Sequence, residues 1–245
     1  MSRFYVPPHN VKNNSIDVTG REAHHILDVM RLKEGDEVVI FDGTGREYSG
    51  FIKEADKKHK KAVVQIVKTE CPLKDSLPEI ILAQALPKKS KMDYIVEKAT
   101  ELGVSQVIPL ISERTIVRPK GDSGIKKVER WKKISLEAAK QCGRVDTPLI
   151  HAIMPFDLLA GKVSHYDLTL LACLQDENIS IKEAVKGMSS GKILILIGPE
   201  GDFTTKEIMM ADHDNCRFVS LGKRVLKSDT AALFVLSVLN YEFSL

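Results

Sequence analysis

The chain has 245 residues, of which 43% are hydrophobic and 28% charged, and its formal net charge is +3. This composition is that of a globular protein and excludes a disordered or collagen-like chain. No apolar run approaches the roughly 20 residues of a membrane helix, and the N-terminal MSRFYVPPHN lacks the apolar stretch of a secretory signal. We therefore expect a cytoplasmic protein without a membrane segment.

The first part of the chain predicts a small β-rich domain over residues 1–72. Runs of apolar and β-branched residues predict strands at 36–42 and 61–68. The tight-turn sequence DGTG at 42–45 lets the segment 47–52 return antiparallel as a further strand. Ahead of them, an apolar stripe predicts a short helix that contains Ala23, Ile26, Leu27 and Met30. Thr19 and Glu22 have the spacing of a capping box at the start of this helix. Turn formers and charges over 73–78 predict a linker.

From residue 79 to 245, segments typical of strands alternate with segments typical of helices. Strands are expected at 80–86, 106–111, 149–153, 168–173, 192–197 and 217–221. Helices are expected at 90–102, 125–141 and 229–241. Such alternation predicts an α/β domain with a mostly parallel sheet that is covered on both faces.

Charge and cysteine placement add two expectations. Residues 86–144 carry fourteen Lys or Arg against seven Asp or Glu, which suits a solvated helix face as well as a nucleic-acid contact. The cysteines are scattered, with no CxxC pair: Cys71, Cys142, Cys173 and Cys216. We expect free thiols and no metal site.

Two loops after predicted strands combine glycines with ligand-binding chemistry. Gly198 and Gly201 in GPEGDF let the backbone turn sharply and approach a ligand, and Thr204 with Glu207 predicts a capping box for the next helix. In the loop 220–231, three apolar side chains stand among polar ones, a mixture that suits a flat heteroaromatic such as adenine: Leu221, Val225 and Leu226. An ordinary turn and a plug at the domain edge remain the alternatives. A third strand end, 170–177, is weaker.

These loops also carry a family resemblance. GPEGDF followed by SLGKRVLKSDTAA resembles the paired cofactor motifs of the RsmE-type 16S ribosomal RNA (uridine-N3)-methyltransferases, which belong to the SPOUT superfamily. Further blocks match in order and spacing: MSRFYV with EAHHILDVMRL, LAQALPKKSKMDYIVEKATELGVSQVIPLISERTIVR, and EAAKQCGRVDTP. The resemblance extends through most of the chain. It implies a SPOUT-type α/β domain with a C-terminal trefoil knot, preceded by a PUA-like β-barrel domain that binds RNA.

The resemblance also implies a cofactor, a partner and pocket residues. The cofactor would be S-adenosylmethionine, the substrate ribosomal RNA or the small ribosomal subunit, and the protein a homodimer. By resemblance the pocket is lined by Leu171, Gly198, Gly201, Leu221, Gly222 and Leu226. From the same loops we add Glu200, Ser220, Val225 and Ala231. Glu200 could serve as the general base if it points into the pocket, and its alternative is a structural carboxylate that accepts hydrogen bonds from backbone amides.

Methyl transfer from a sulfonium is an in-line displacement that needs no metal, so the protein must orient the nucleophile and manage its proton. Loss of the N3 proton of uracil places negative charge on the flanking carbonyl oxygens, where a cation would stabilise it. Arg114 and Arg144 are the candidate catalytic residues, either for this purpose or for holding RNA phosphate. Other basic residues are expected to contact RNA: Arg3, Arg21, Arg31, Lys88, Lys89 and Arg224.

Three positions depart from the family pattern. The family usually has glycine where Asp202 stands, and Arg and Glu where Lys227 and Asp229 stand. Lysine loses the planar bidentate geometry of arginine, and Asp202 brings a negative side chain to the cofactor loop. Two other functions remain open: a related methyltransferase that acts on another RNA atom, such as a ribose 2′-hydroxyl, and a non-catalytic RNA-binding assembly factor.

Overall fold

A computed structural model describes residues 3–71, 77–119, 121–174 and 178–243. The chain divides into two compact units, Met1–Lys74 with Ala139–Thr147, and Asp75–Ala138 with Pro148–Leu245. The proposed domain limits at 72 and 79 stay a prediction, and most of the predicted linker, 73–76, lies outside the described residues.

The first unit contains a five-stranded sheet in the order β1-β3-β4-β5-β2. Its strands are β1 (Arg3–Tyr5), β2 (Ser15–Thr19), β3 (Glu37–Phe41), β4 (Glu47–Asp56) and β5 (Lys61–Glu70). Strand β1 runs parallel to β3 and the other neighbours are antiparallel. The three predicted strands are confirmed, whereas β1 and β2 were not predicted. Ile16 and Val18 are buried on one face of β2, the alternation that a half-exposed strand requires.

The predicted helix exists, but its predicted capping box is wrong. Helix α1 (Gly20–His24) continues into a π-helical segment, His25–Val29, and Thr19 makes no side-chain cap. Glu22 instead accepts a hydrogen bond from the backbone N–H of Tyr5 at 3.4 Å and pairs with Lys140 Nζ at 2.7 Å. Of the predicted apolar stripe, Met30 is 43% exposed, and the other three residues are buried.

The second unit contains an eight-stranded sheet in the order β11-β13-β10-β12-β6-β7-β8, with β9 paired to β7. Its strands are β6 (Glu79–Ala85), β7 (Gln106–Ile111), β8 (Leu149–Ile150), β9 (Met154–Pro155), β10 (Leu168–Ala172), β11 (Ile179–Ser180), β12 (Lys192–Ile197) and β13 (Cys216–Ser220). Every pairing in this sheet is parallel. The predicted α/β class and parallel sheet are confirmed, although the strand predicted at 149–153 is shorter.

Helices cover both faces of this sheet. They are α2 (Lys91–Glu101), α3 (Asp122–Cys142), α4 (Phe156–Ala160), α5 (Ile181–Ala184), α6 (Thr205–Ala211) and α7 (Ser228–Glu242), with a 3₁₀ turn at Val163–His165. Along β6, Ile80 and Leu82 belong to one apolar cluster, while Ile81 and Ala83 belong to another. Because successive side chains of a strand point to opposite faces, the sheet is buried on both sides.

The strand order determines where a ligand can lie. Strand β10 lies between β12 and β13, so the three strands end at one edge of the sheet. The loops that follow them begin at 173, 198 and 221 and therefore meet at the carboxyl edge, where parallel α/β sheets bind ligands. No helix among the described residues is long and apolar enough to cross a membrane.

Candidate active site

A cavity of about 510 Å³ lies at this edge, within the second unit. Its walls come from the three loops and from the first turns of α7. The lining residues are Ala172, Cys173, Leu174, Asn178, Ile197, Gly198, Pro199, Glu200, Asp202, Ser220, Leu221, Gly222, Arg224, Val225, Leu226, Lys227, Ser228 and Ala231. Three loops that are distant in the sequence thus enclose one volume, of a size typical for small-molecule sites.

Eight of the ten residues predicted to bind a cofactor line this cavity: Gly198, Glu200, Ser220, Leu221, Gly222, Val225, Leu226 and Ala231. Leu171 and Gly201 do not. The side chain of Leu171 is fully buried in an apolar cluster beneath the sheet, because it points away from the face that its neighbour Ala172 presents. Gly201 is exposed, and its carbonyl oxygen accepts a hydrogen bond from Arg114.

Sequence reasoning missed several lining residues. Cys173 and Leu174 follow β10 directly, in the segment that we considered weak, and Asn178 lies just beyond it. Residues 175–177 of the same segment lie outside the described part of the chain. Lys227 and Ser228 precede and begin α7. The signal that could have found the first two is their position after a strand that neighbours the glycine-bearing one.

A buried hydrogen-bond chain joins the two motif loops. The Ser228 hydroxyl donates to the carbonyl oxygen of Gly198 at 2.6 Å and accepts from Gln84 Nε2 at 2.8 Å. Ser228 is 5% exposed, and Gln84, on β6, is fully buried. Since a buried polar group without a partner costs about 1–3 kcal/mol, Ser228 fixes the start of α7 against the glycine loop.

Glu200 accepts a hydrogen bond from a backbone amide, as expected of a structural carboxylate. Its Oε1 accepts a hydrogen bond from the backbone N–H of Lys88 at 3.0 Å. The residue is exposed. Glu200 therefore connects the glycine loop to the segment between β6 and α2, while it also lines the cavity.

Arg114, one of the two candidate catalytic residues, lies beside the glycine loop. Its Nη1 donates to the carbonyl oxygen of Gly201 at 2.7 Å and, more weakly, to that of Phe203 at 3.5 Å. Its Nε and Nη2 have no hydrogen-bond partner among the described residues. Arg114 is thus placed to order the loop and still has N–H groups to offer.

The capping box predicted for helix α6 is confirmed, since Thr204 and Glu207 bond reciprocally at its start.

Arg144, the other candidate, belongs to the first unit. Its Nε and Nη2 each lie 3.1 Å from a carboxylate oxygen of Asp146, which is a bidentate ion pair. The side chain of Arg144 is only 15% exposed. This pairing gives Arg144 a structural role in the first unit, so the catalytic interpretation of Arg144 has no support in the contacts of that unit.

The six residues expected to contact RNA fall into two groups. Arg3 is engaged within the first unit, since its guanidinium pairs with Glu47 at 2.7 Å, donates to the Gly143 carbonyl and stacks over Phe41. That engagement corrects the expectation that it offers its charge to RNA. The other five are exposed: Arg21, Arg31, Lys88, Lys89 and Arg224. Arg224 lies at the cavity itself.

Asp202 occupies a backbone conformation that favours glycine. Its φ is +61°, a region in which aspartate is among the better-tolerated side chains. Its Oδ1 accepts from the N–H of Phe203 at 2.7 Å and its Oδ2 from that of Leu174 at 3.3 Å. The carboxylate therefore fastens the glycine loop to the loop after β10, which explains how a side chain is accommodated where the resembling family has glycine.

Of the other two departures from the family, Asp229 pairs with Lys91 Nζ at 3.0 Å, and Lys227 lines the cavity.

The four cysteines are free thiols. Burial, with the charge of Asp202 adding to it, raises the pKa of Cys173 to about 11, so the cavity wall presents a neutral thiol at pH 7. In the described part of the chain, no group of three or more His, Cys, Asp or Glu side chains could hold a metal ion.

Comparison with known proteins identifies the family. Residues 74–240 match the profile of an RNA methyltransferase domain, and residues 18–65 match that of an RNA methyltransferase PUA domain. The chain is 31% identical to ribosomal RNA small subunit methyltransferase E of Bacillus subtilis, covering 94% of this chain and 91% of the relative. It is 32% identical to the Synechocystis protein of the same name, covering 97% and 77%.

A solved structure agrees. The ribosomal RNA small subunit methyltransferase E from Neisseria gonorrhoeae, bound to S-adenosyl methionine, is 28% identical and superposes with a TM-score of 0.85 over 98% of this chain and 97% of its own. Family profile, sequence identity and fold therefore point the same way across both units. The chain belongs to the ribosomal RNA small subunit methyltransferase E family.

Proposed function

We propose that this protein transfers a methyl group from S-adenosylmethionine to N3 of a uridine in small-subunit ribosomal RNA. The observation that carries the proposal is the cavity in which both motif loops meet, Gly198–Phe203 and Ser220–Ser228. Support for the cofactor comes from the N. gonorrhoeae relative, whose structure contains S-adenosyl methionine. Support for the substrate class comes from family membership. The uridine N3 target rests on the resemblance of the motifs.

The cavity fits the cofactor chemically. Adenine needs apolar walls with nearby backbone polar groups, which Leu221, Val225 and Leu226 can supply together with the surrounding loop amides. The sulfonium and ammonium groups are cationic, and Glu200 and Asp202 place carboxylates in the lining. Arg224 and Lys227 can balance the carboxylate of the methionine moiety. Both charge signs of the cofactor thus have complements in the lining.

When bound, S-adenosylmethionine supplies an electrophilic methyl group for in-line displacement. The chain's own task is to hold the loops rigid and to stabilise charge on the uracil as its N3 proton leaves. Arg114 suits this second task because only its Nη1 is used by the glycine loop. A guanidinium beside the carbonyl oxygens of uracil stabilises the deprotonated ring, and we propose Arg114 for this position.

We further propose that the second unit has the C-terminal trefoil knot of the SPOUT superfamily and that the first is a PUA-like barrel. The position of β10 between β12 and β13 supports the knot, and the PUA profile match supports the barrel. We also propose a homodimer. Its support is that α7 exposes the large apolar side chains Phe234 and Tyr241, which a second copy could cover.

The test is methyl transfer from labelled S-adenosylmethionine to small ribosomal subunits from cells that lack this protein, followed by nucleoside analysis. We expect labelled 3-methyluridine. A labelled 2′-O-methyl nucleoside would identify the related methyltransferase instead. If the protein binds RNA but neither binds the cofactor nor methylates the RNA, it is the assembly factor and the proposal is wrong.

Replacing Asp202 tests how the loops are joined. Asp202→Gly relieves the positive φ but removes both hydrogen bonds of the carboxylate. We expect the free energy of unfolding to stay within about 1 kcal/mol and the affinity for S-adenosylmethionine to fall about 3- to 10-fold, as for one or two lost hydrogen bonds. Titration calorimetry measures the affinity.

The matched variant is Asp202→Asn, which tolerates the same φ and keeps one acceptor oxygen. Its affinity should lie between those of the wild type and Asp202→Gly. If Asp202→Gly binds the cofactor as tightly as the wild type, the carboxylate does not position the loop.

A further inference from the structure

A second cavity, of about 230 Å³, lies in the same unit and belongs to none of the motif loops. It is formed by the end of β6, the start of α2 and one face of α3. Its lining residues are Leu86, Pro87, Lys89, Ser90, Met92, Asp93, Val117, Lys127, Arg130 and Trp131. We call it the basic cavity, because three of these residues carry positive charge and one carries negative charge.

Two of the three positive charges in the basic cavity have no counter-charge among the described residues. Asp93 pairs with Arg130 at 2.6 Å and accepts a hydrogen bond from Trp131 Nε1 at 3.0 Å. Lys89 and Lys127 have no carboxylate partner among the described residues. Lys127 is half-buried as a whole residue and lines the cavity. An anion that entered the cavity would supply that counter-charge.

The backbone adds to this anion preference. At the start of α2, Ser90 makes no side-chain cap, and Asp93, which could cap from the third helical position, is turned toward Trp131 and Arg130 instead. The N–H of Asp93 is bonded to the carbonyl oxygen of Ser90 at 3.1 Å, so the first turn of this eleven-residue helix contributes the positive end of its dipole. Lys89, which adopts a left-handed φ of +60°, lines the cavity beside this turn.

One short segment, 88–91, connects the basic cavity with the 510 Å³ cavity in which we propose that the cofactor binds, called the cofactor cavity below. The N–H of Lys88 is bonded to Glu200 of the cofactor cavity, and Lys91 pairs with Asp229 in the first turn of α7. Lys89 and Ser90, between these two residues, line the basic cavity. The same short segment therefore contacts the cofactor cavity and lines the basic cavity, so ligands in the two cavities would be held by neighbouring residues.

We propose that the basic cavity binds a backbone phosphate of the RNA substrate, close to the nucleotide that is methylated. This inference rests on the proposed function. Two lysines without a carboxylate partner, beside a helix N-terminus, can bind a phosphate through charge and hydrogen bonds. The apolar side chains of Leu86, Met92 and Val117 form a floor against which the neighbouring ribose can pack. The site holds the target strand in register while the cofactor cavity performs the chemistry.

The test compares two double variants. The first combines Lys89→Gln and Lys127→Gln, and the control loses the same charge elsewhere. Lys182→Gln with Lys206→Gln is that control, because both lysines are exposed on the short helices α5 and α6. Binding to small-subunit ribosomal RNA is measured at several salt concentrations. We expect the slope of log K against log salt to become shallower by about 0.7–0.9 in the first variant, the loss of one phosphate contact, and to stay unchanged in the control.

A third variant, Asp93→Asn, removes the negative charge of the cavity and keeps an oxygen for Trp131. Its RNA affinity should rise and its salt slope should steepen, a gain that a merely structural role would not produce. Inorganic phosphate, added at constant ionic strength, should compete with RNA for the wild type and not for the double lysine variant.

The proposal is overturned if the double lysine variant has the same salt slope as its control. It is equally overturned if inorganic phosphate binds the cavity while RNA binding is indifferent to both lysines, since the site would then serve a free anion. The affinity for S-adenosylmethionine is measured in parallel. Cofactor binding that persists in all variants separates a failure of the phosphate site from a failure of the proposed function.

Discussion

The variant Gly198→Ala should bind S-adenosylmethionine at least about tenfold more weakly than the wild type, a difference of roughly 1.4 kcal/mol. A Cβ at this position would lie 3.0 Å from Asp202 Oδ1, 3.2 Å from the Cα of Asp202 and 3.2 Å from the backbone nitrogen of Phe203. Two of these three atoms are backbone, so the loop itself must shift. Because the same loop lines the cofactor cavity, the displacement lowers the affinity that titration calorimetry records.

The control for this change is Gly161→Ala. A Cβ at Gly161 meets only the Asp157 carbonyl oxygen at an ordinary 3.8 Å, and the φ of −65° suits any residue. This variant should bind the cofactor like the wild type. Equal cofactor affinities for Gly198→Ala and Gly161→Ala would show that the glycine loop is not part of the cofactor site.

Ser228→Ala should lose about 1–3 kcal/mol of unfolding free energy, because it leaves the buried Gly198 carbonyl without this donor and removes one of the two acceptors of Gln84 Nε2. For a chain of this size, that loss lowers Tm by about 2–4 °C for each kcal/mol. The cofactor affinity should fall as well, since the hydroxyl joins the start of α7 to the glycine loop. Thermal unfolding with and without S-adenosylmethionine measures both effects.

Ser190→Ala is the control for this comparison. Ser190 is exposed and lies outside both motif loops and α7, so the loss of its hydroxyl should move the free energy of unfolding by less than about 0.5 kcal/mol. If Ser228→Ala is as stable as Ser190→Ala and binds the cofactor equally well, the hydrogen-bond chain through Ser228 does not hold the two loops together.

The two motif loops that line the 510 Å³ cavity could be predicted from the sequence because their signals are local. Gly198 and Gly222 each follow a short segment typical of a strand, and the capping-box spacing of Thr204 and Glu207 predicts the start of the next helix. The contributions of Cys173 and Leu174 could not be predicted, because their loop reaches the cavity only through the placement of β10 between two strands that come later in the chain.

Long-range partners explain the other failures. Glu22 has the spacing of a capping box, but Lys140, 118 residues away, takes its carboxylate. The same stretch, Ala139–Thr147, groups with the first unit although the chain reaches it from the second. Arg3 looks like a free cation in the sequence, but in the fold it pairs with Glu47, which no local spacing indicates. The partner of Arg144, by contrast, is local, because Asp146 stands two residues further along the chain.

The most direct test of the central claim is amide hydrogen exchange with and without S-adenosylmethionine, read peptide by peptide. Cofactor binding should slow exchange in the peptides that cover 198–204 and 220–228, because these two loops line one cavity. It should leave β4 and β5 of the first unit unchanged. Cofactor binding that leaves both loop peptides at their free exchange rates would contradict the account, because the cofactor would then bind elsewhere.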